Sequence, residues 1–150
     1  MTQPVCVIVG AGPGNGAAFA RRFAGAGHPI ALLARDQSGL EAWAPEIPGT
    51  RAYVCDATDA AQVEATFGRI RRELGPVGVL IYNASTRQFA DIDHTEPQAF
   101  ELAWRVSALG CLLAARQVIP DMRTAGSGSI VVIGATASLK GAAGFVAFAA

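Results

Sequence analysis

The chain has 150 residues, 51% of them apolar, and its 12 Lys and Arg balance its 12 Asp and Glu to a formal net charge of zero. That length makes one domain with a sizeable core, and the balanced charge leaves no basic footprint for nucleic acid. No unbroken apolar run reaches the ~18 residues of a membrane span, and no basic leader precedes an apolar stretch, so the expectation is a cytoplasmic protein without a membrane partner.

In chain order, Val5 to Val9 is an unbroken apolar run ahead of Gly10-Ala11-Gly12-Pro13-Gly14-Asn15-Gly16. Such a run bounded by glycine reads as a strand buried on both faces. Ala17 to Ala24 then reads as a helix, stopped by Gly25 and Gly27. Ile30 to Ala34 is the second strand, closed by Arg35-Asp36, and a short helix spans Ser38 to Trp43, ending before Pro45. Arg51 to Cys55 is the third strand. Asp59 caps the next helix, with Gln62 completing a capping box. Val63, Phe67, Ile70 and Leu74 give that helix one apolar face, and Gly75-Pro76 stops it. Val77 to Tyr82 is the fourth strand, followed by Asn83-Ala84-Ser85 and a polar loop from Thr86 to His94. Thr95 and Pro97 start a long helix through Val118, which Pro120 should end or kink. Gly126-Ser127-Gly128 is a turn, Ser129 to Ile133 the fifth strand, and Gly144 to Ala150 the start of another helix without a stop signal.

Strands alternating with helices imply parallel βαβ units, in which ligands bind beyond the carboxyl ends of the strands. The residues to interrogate are therefore the glycine turn, Arg35, Asp56, Asn83 and the stretch from Gly134 to Ser138. A diphosphate must approach the main chain closely, which favours glycine, and the helix that opens near Gly14 or Gly16 offers unpaired N–H groups and partial positive charge. The spacing fits two patterns. Gly12, Gly14 and Ala17 match Gly-x-Gly-x-x-Gly/Ala, while Gly10, Gly14 and Gly16 match Gly-x-x-x-Gly-x-Gly.

Taken together, these residues resemble the short-chain dehydrogenase/reductase family over essentially the whole chain. Gly10, Gly14 and Gly16 match its glycine motif. Asp56, with Ala57 beside it, stands where the family contacts adenine. Asn83-Ala84-Ser85 resembles its Asn-Ala-Gly, and Gly128-Ser129-Ile130-Val131-Val132 its fifth-strand entry. The resemblance implies an α/β, Rossmann-type doubly wound parallel sheet in three layers, with visible strand order 3-2-1-4-5. It implies one NAD(P)-binding domain over residues 1–150, the front part of a longer fold. It places the cofactor on Gly10, Gly12, Pro13, Gly14, Asn15, Gly16, Arg35, Asp56, Ala57, Asn83, Ala84, Ser85 and Gly134. Arg35 after Ala34 favours NADP(H), because an arginine there accepts a 2′-phosphate. Asp36 opposes that preference, and Pro13 stands where NADP-preferring members often carry a basic residue. NAD(H) stays open as the alternative.

The family's catalytic Asn, Ser and Tyr positions read Ser107, Ala135 and Phe148, and its Lys would fall just past Ala150. Phe148 has no titratable proton and Ala135 no hydroxyl, so a relay worth roughly 10²–10⁴-fold cannot run through them. Thr136 and Ser138 are nearby hydroxyls that could replace the serine, or serve the turn after the strand. Tyr82, closing a buried strand, reads as core.

The remaining candidates have plain readings. Cys6, Cys55 and Cys111, without a Cys-x-x-Cys or Cys/His cluster, read as buried free thiols. His28 reads as an exposed turn residue. Asp91, Asp93 and His94 read as a solvated loop without a fixed metal scaffold, so no metal site is assigned. Trp43 and Trp104 read as packing residues. The greasy long helix, with Leu109, Cys111, Leu112 and Leu113, corresponds to one that packs between subunits in the family, which implies a homodimer or homotetramer. The expected function is an NADP(H)-preferring oxidoreductase acting on a small-molecule carbonyl or alcohol. The alternatives are a cofactor-binding sensor without turnover and an interaction module without nucleotide.

Overall fold

The computed structural model describes residues 3–149. Its centre is a five-stranded, all-parallel sheet in the order β3-β2-β1-β4-β5. The strands are β1 (Val5–Val9), β2 (Ile30–Ala34), β3 (Thr50–Val54), β4 (Val77–Tyr82) and β5 (Ser129–Val132). The expected order is the observed one.

Alternation along β1 explains the three layers. Val5, Val7 and Val9 join one core with Phe67 and Ile70 of α3 (Ala60–Glu73) and Ala114 and Val118 of α5 (Gly110–Ala125). Cys6 and Ile8 join the other, with Ala17 and Ala20 of α1 (Asn15–Ala24) and Leu40 of α2 (Gln37–Glu41). A strand with helices on both faces must be apolar at every position, as this one is.

Register sets the site. Tyr53, Leu33, Val9, Tyr82 and Val132 lie side by side across the sheet. The residues that follow them, from Gly10, Ala34 and Asn83 onward, therefore emerge along one edge.

Several local expectations change. The helix after β2 ends at Glu41, and a separate 3-10 turn, Ala44–Glu46, carries Pro45 inside it. Proline is tolerated there because the first turn of a helix leaves its N–H unpaired anyway. Strands three and five run Thr50–Val54 and Ser129–Val132, and helix one starts at Asn15.

Pro120 does not end its helix. The helix continues to Ala125, and the stop is Gly126 with φ 68°. Pro120 and Arg116 both face solvent, so the Arg116 carbonyl that loses its partner can bond to water.

The long helical stretch also changes hand-hold midway. α4 (Pro97–Trp104) passes through a π turn, Arg105–Leu109, before α5. Pro97–Ala125 is, by length and averaged composition alone, apolar enough to cross a membrane, although no unbroken apolar run of that length occurs. Here it lies against the sheet, and the Arg71 guanidinium anchors it through Asp121 at 2.9 Å.

Three further residues depart from their readings. Cys111 is half-buried, whereas Cys6 and Cys55 are buried, and all three are free thiols. Trp104 is 51% exposed on the outer face of α4, so it packs no core, while Trp43 is buried with its Nε1 lacking a partner. His28 is tied down: its Nδ1 donates to the Pro4 carbonyl at 2.7 Å, and its ring meets Phe23 edge-on.

Candidate nucleotide cleft

The cleft opens at the carboxyl edge of β1, β2 and β4 and has a volume of about 880 Å³. Its floor is the turn after β1. Gly10 has φ +80°, and an added Cβ would lie 2.5 Å from the Ala84 Cα and 2.7 Å from the Asn83 carbonyl carbon. Only glycine fits there, because the turn after β4 is pressed against it. Asn83 locks the two turns together: its N–H donates to the Val9 carbonyl at 2.8 Å and its Nδ2 to the Gly10 carbonyl at 2.9 Å.

The remaining glycines split by role. A Cβ on Gly16 would come within 2.9 Å of the Ala11 Cα, so this residue lets α1 seat on the turn. At Gly12 and Gly14 a Cβ would meet nothing within 4 Å. These two leave bare main chain facing the opening. Gly14 is also the N-cap of α1, and no side chain caps that helix end. Uncapped N–H groups behind bare glycines form an anion cradle, and a dinucleotide diphosphate fits it.

The side walls come from β2 and β3. Arg35 and Asp36 line the cleft, and among the described residues Arg35 has no ion pair. The Asp36 carboxylate folds back over α2, with Oδ2 2.7 Å from the Cβ position of Gly39. Asp56 is fixed by an Asx turn: Oδ1 accepts from the Thr58 N–H at 2.9 Å and the Thr58 hydroxyl at 2.8 Å. Below it Asp59 caps α3 by accepting from the Ala61 and Gln62 N–H groups, and the Gln62 side chain bridges back: its Nε2 donates to Asp59 Oδ2 at 2.9 Å and its Oε1 accepts from the Asp56 N–H at 3.1 Å. The capping box thus braces the cleft wall.

Of the residues assigned from sequence, Gly10, Gly12, Pro13, Gly14, Asn15 and Gly16 all line the cleft. So do Arg35, Asp56, Ala57, Asn83, Ala84 and Ser85. Gly134 lies outside the lining, as do Ser107, Ala135, Thr136, Ser138 and Phe148. Ser107 is exposed within the π turn, and its neighbour Val106 faces the cleft instead. Ala135 precedes the 3-10 turn Thr136–Ser138, and the Ser138 hydroxyl donates to the Ala135 carbonyl at 2.7 Å. Thr136 is exposed. Phe148, in α6 (Val146–Ala149), is half-buried and stacks with Phe89 and Phe145.

Sequence reasoning missed Arg87, Val106 and Thr58 in the lining. Arg87 lies two residues past Ser85, where continuing the strand-end logic would have found it. Val106 enters only through tertiary packing. Its carbonyl accepts the buried Tyr82 hydroxyl, and Gly110 leaves room for that hydroxyl beside the Ala57 carbonyl, 3.0 Å from the Gly110 Cβ position. Burial holds the Tyr82 phenol well above its ordinary pKa, so it stays protonated and donating. Asp91 pairs with His94 at 2.5 Å in an exposed loop. Among the described residues no three His, Cys, Asp or Glu side chains form a metal-binding group.

Residues 4–150 match the family model described as short chain dehydrogenase. The chain is 31% identical over 147 residues to the 3-oxoacyl-[acyl-carrier-protein] reductase of Rattus norvegicus, covering 97% of this chain and 62% of that protein. It is 30% identical to the D-threitol dehydrogenase of Mycolicibacterium smegmatis, covering 85% of this chain and 50% of that one. Among solved structures, NAD+-bound xylitol dehydrogenase superposes with a TM-score of 0.92 at 29% identity, covering 97% of this chain and 58% of that chain. The chain therefore spans between half and two-thirds of the length of these relatives.

Proposed function

Because this chain belongs to the short chain dehydrogenase family, we propose that it binds a nicotinamide dinucleotide, prefers NADP(H), and exchanges hydride with a small carbonyl or alcohol compound. The observation that carries the reading is the open main chain at Gly12 and Gly14 in front of an uncapped helix. Gly12 to Gly16 would hold the diphosphate, Asp56 and Ala57 the adenine, and Asn83 to Ser85 the ribose nearest the chemistry. Arg35 supports NADP(H): it stands at the rim without an acidic partner among the described residues, while the Asp36 carboxylate is turned onto its own helix. When bound, the nicotinamide supplies the hydride.

The chain's own residues set the rest of the reaction. Phe148 and Ala135 deliver no proton, so the reading assigns the carbonyl proton to water entering past the exposed Ser107 and Thr136. Tyr82 is committed to the Val106 carbonyl and does not serve.

Residues 1–150 constitute, on this reading, the nucleotide-binding part of a longer fold. The free thiols suit a reducing compartment, the cytoplasm. Phe100, Leu102, Trp104 and Leu112 are exposed apolar side chains on α4 and α5, which supports pairing with a second copy as a dimer or tetramer.

Calorimetric titration with NADPH and, separately, NADH tests the reading. Tight NADPH binding with much weaker NADH binding is the expected outcome. Equal affinities would keep the nucleotide and remove the role of Arg35. No binding of either would leave an interaction module. Binding without hydride transfer to any of a panel of ketones and aldehydes would make the protein a nucleotide sensor.

A further inference from the structure

We propose that the stretch Ser85–Phe89, together with Phe145 and Phe148, forms a subsite for a carbonyl compound that carries an aromatic ring and a carboxylate. The proposal rests on the oxidoreductase reading, since it names the substrate class for that same cleft.

The residues alternate exposed and half-buried from Ser85 to Phe89: Ser85, Arg87 and Phe89 are exposed, while Thr86 and Gln88 are not. Ser85, Arg87 and Phe89 thus share the exposed face of the loop. At one end of that face, Ser85 and Arg87 line the nucleotide cleft. At the other, Phe89 packs against Phe145 and Phe148 with ring centroids 5.4 Å away in each case. The face thus runs from the cleft into an aromatic cluster. The loop is held in place, because the Val146 N–H donates to the Ala90 carbonyl at 3.3 Å.

The cluster is open. Phe89 is 58% and Phe145 36% exposed. All three ring pairs are tilted or edge-on, with interplanar angles of 58° to 67°. Edge-on rings leave faces and edges for another ring, and an exposed aromatic patch beside a cleft marks a ligand surface. Phe148 also replaces a protic side chain with an apolar one at the matching catalytic position, so the wall there favours an apolar body over a polyol.

Arg87 supplies the charge. It has no ion pair among the described residues, and the next acid along the loop, Asp91, is taken by His94. A guanidinium binds a carboxylate through two parallel hydrogen bonds. Arg87 and Phe89 are two residues apart, which keeps their Cα atoms within about 7 Å of each other. An aryl 2-oxo acid bridges ring and guanidinium over such a span, with its ketone between them.

The test is calorimetry on the NADPH-saturated protein with three probes: benzoylformate, its uncharged methyl ester, and pyruvate, which lacks the ring. Benzoylformate should bind roughly tenfold tighter than either. Arg87→Ala should collapse the ratio of benzoylformate to ester affinity toward one. Phe89→Ala should collapse the ratio of benzoylformate to pyruvate. NADPH binding without a preference for benzoylformate overturns the substrate class and leaves the nucleotide reading intact. A preference that survives either substitution overturns the assigned subsite. Failure to bind NADPH at all overturns the oxidoreductase reading and this proposal with it.

Discussion

Asn83 donates its side-chain N–H to the carbonyl of Gly10 at 2.9 Å, across 73 residues of sequence. The bond welds the turn after β4 to the turn after β1, and the Gly10 carbonyl can be reached only because Gly10 has no side chain. Gly10→Ala should destabilise the fold by roughly 2–4 kcal/mol, through strain at positive φ and overlap with Ala84. Asn83→Ala should cost about 1 kcal/mol and weaken nucleotide binding while the chain stays folded. Denaturant unfolding and nucleotide titration of both variants check this. Equal effects of the two substitutions would contradict it.

Arg35→Ala separates phosphate recognition from the rest of the cleft. NADPH affinity should fall roughly tenfold to a hundredfold while NADH affinity changes little, since only NADPH carries the 2′-phosphate. Parallel loss of both would show Arg35 acting on the shared part of the nucleotide.

On the proposed reading, Phe148→Tyr places a titratable hydroxyl where the family's catalytic tyrosine would stand. NADPH consumption with a carbonyl substrate, followed by absorbance, should rise by at least about a hundredfold. No rise would argue that hydride transfer is not what this cleft does.

Tyr82 and Gly110 should couple. Tyr82→Phe leaves the Val106 carbonyl without its donor and should cost about 1–2 kcal/mol. Gly110→Ala drives a methyl into the Tyr82 hydroxyl and should cost roughly 1–3 kcal/mol. The double variant should be less destabilised than the sum by about 1 kcal/mol, because removing the hydroxyl makes room for the methyl. A double-mutant cycle that closes additively would mean the two groups do not meet.

The Tyr53–Glu73 pair should shape stability at both ends of the pH scale. Burial first, then the hydrogen bond to Glu73, pushes the Tyr53 phenol up to about 12 from 10.0. A raised folded pKa gives stability that is present below pH 10.0 and is lost as pH climbs toward 12. The Glu73 carboxyl is lowered, chiefly by that same hydrogen bond. Its contribution is present above 4.5 and is lost as pH falls through the depressed value. Tyr53→Phe should flatten both limbs of a stability–pH curve measured by urea unfolding. An unchanged acid limb would count against the bond to Glu73.

The sheet was legible because β1 and β4 are apolar at every position and end at glycine or asparagine. A pattern of that kind has no other stable home than a parallel sheet covered on both faces. The cleft was legible for the same reason: parallel strands bring their ends to one edge, so Gly10, Arg35, Asp56 and Asn83 could be named as its lining from the sequence. Arg87 escaped because the strand-end reading stopped at Ser85, two residues short of it. The π turn at Arg105–Leu109 escaped because the tertiary contact made within it, the Tyr82 hydroxyl on the Val106 carbonyl, comes from a residue more than twenty positions upstream. Pro120 misled because proline's cost depends on whether the orphaned carbonyl reaches water, which burial decides and sequence does not.

The order of the strands has a consequence for how the molecule comes into being. β1 pairs with β2, its neighbour in sequence, and with β4 across the intervening β3 and α3. Closing that long loop carries an entropic cost before any contact rewards it. The cleft spans this seam, with the β1 turn on one side and the β4 turn on the other. A ligand that needs both turns binds only molecules in which the seam has closed, and draws the population toward them.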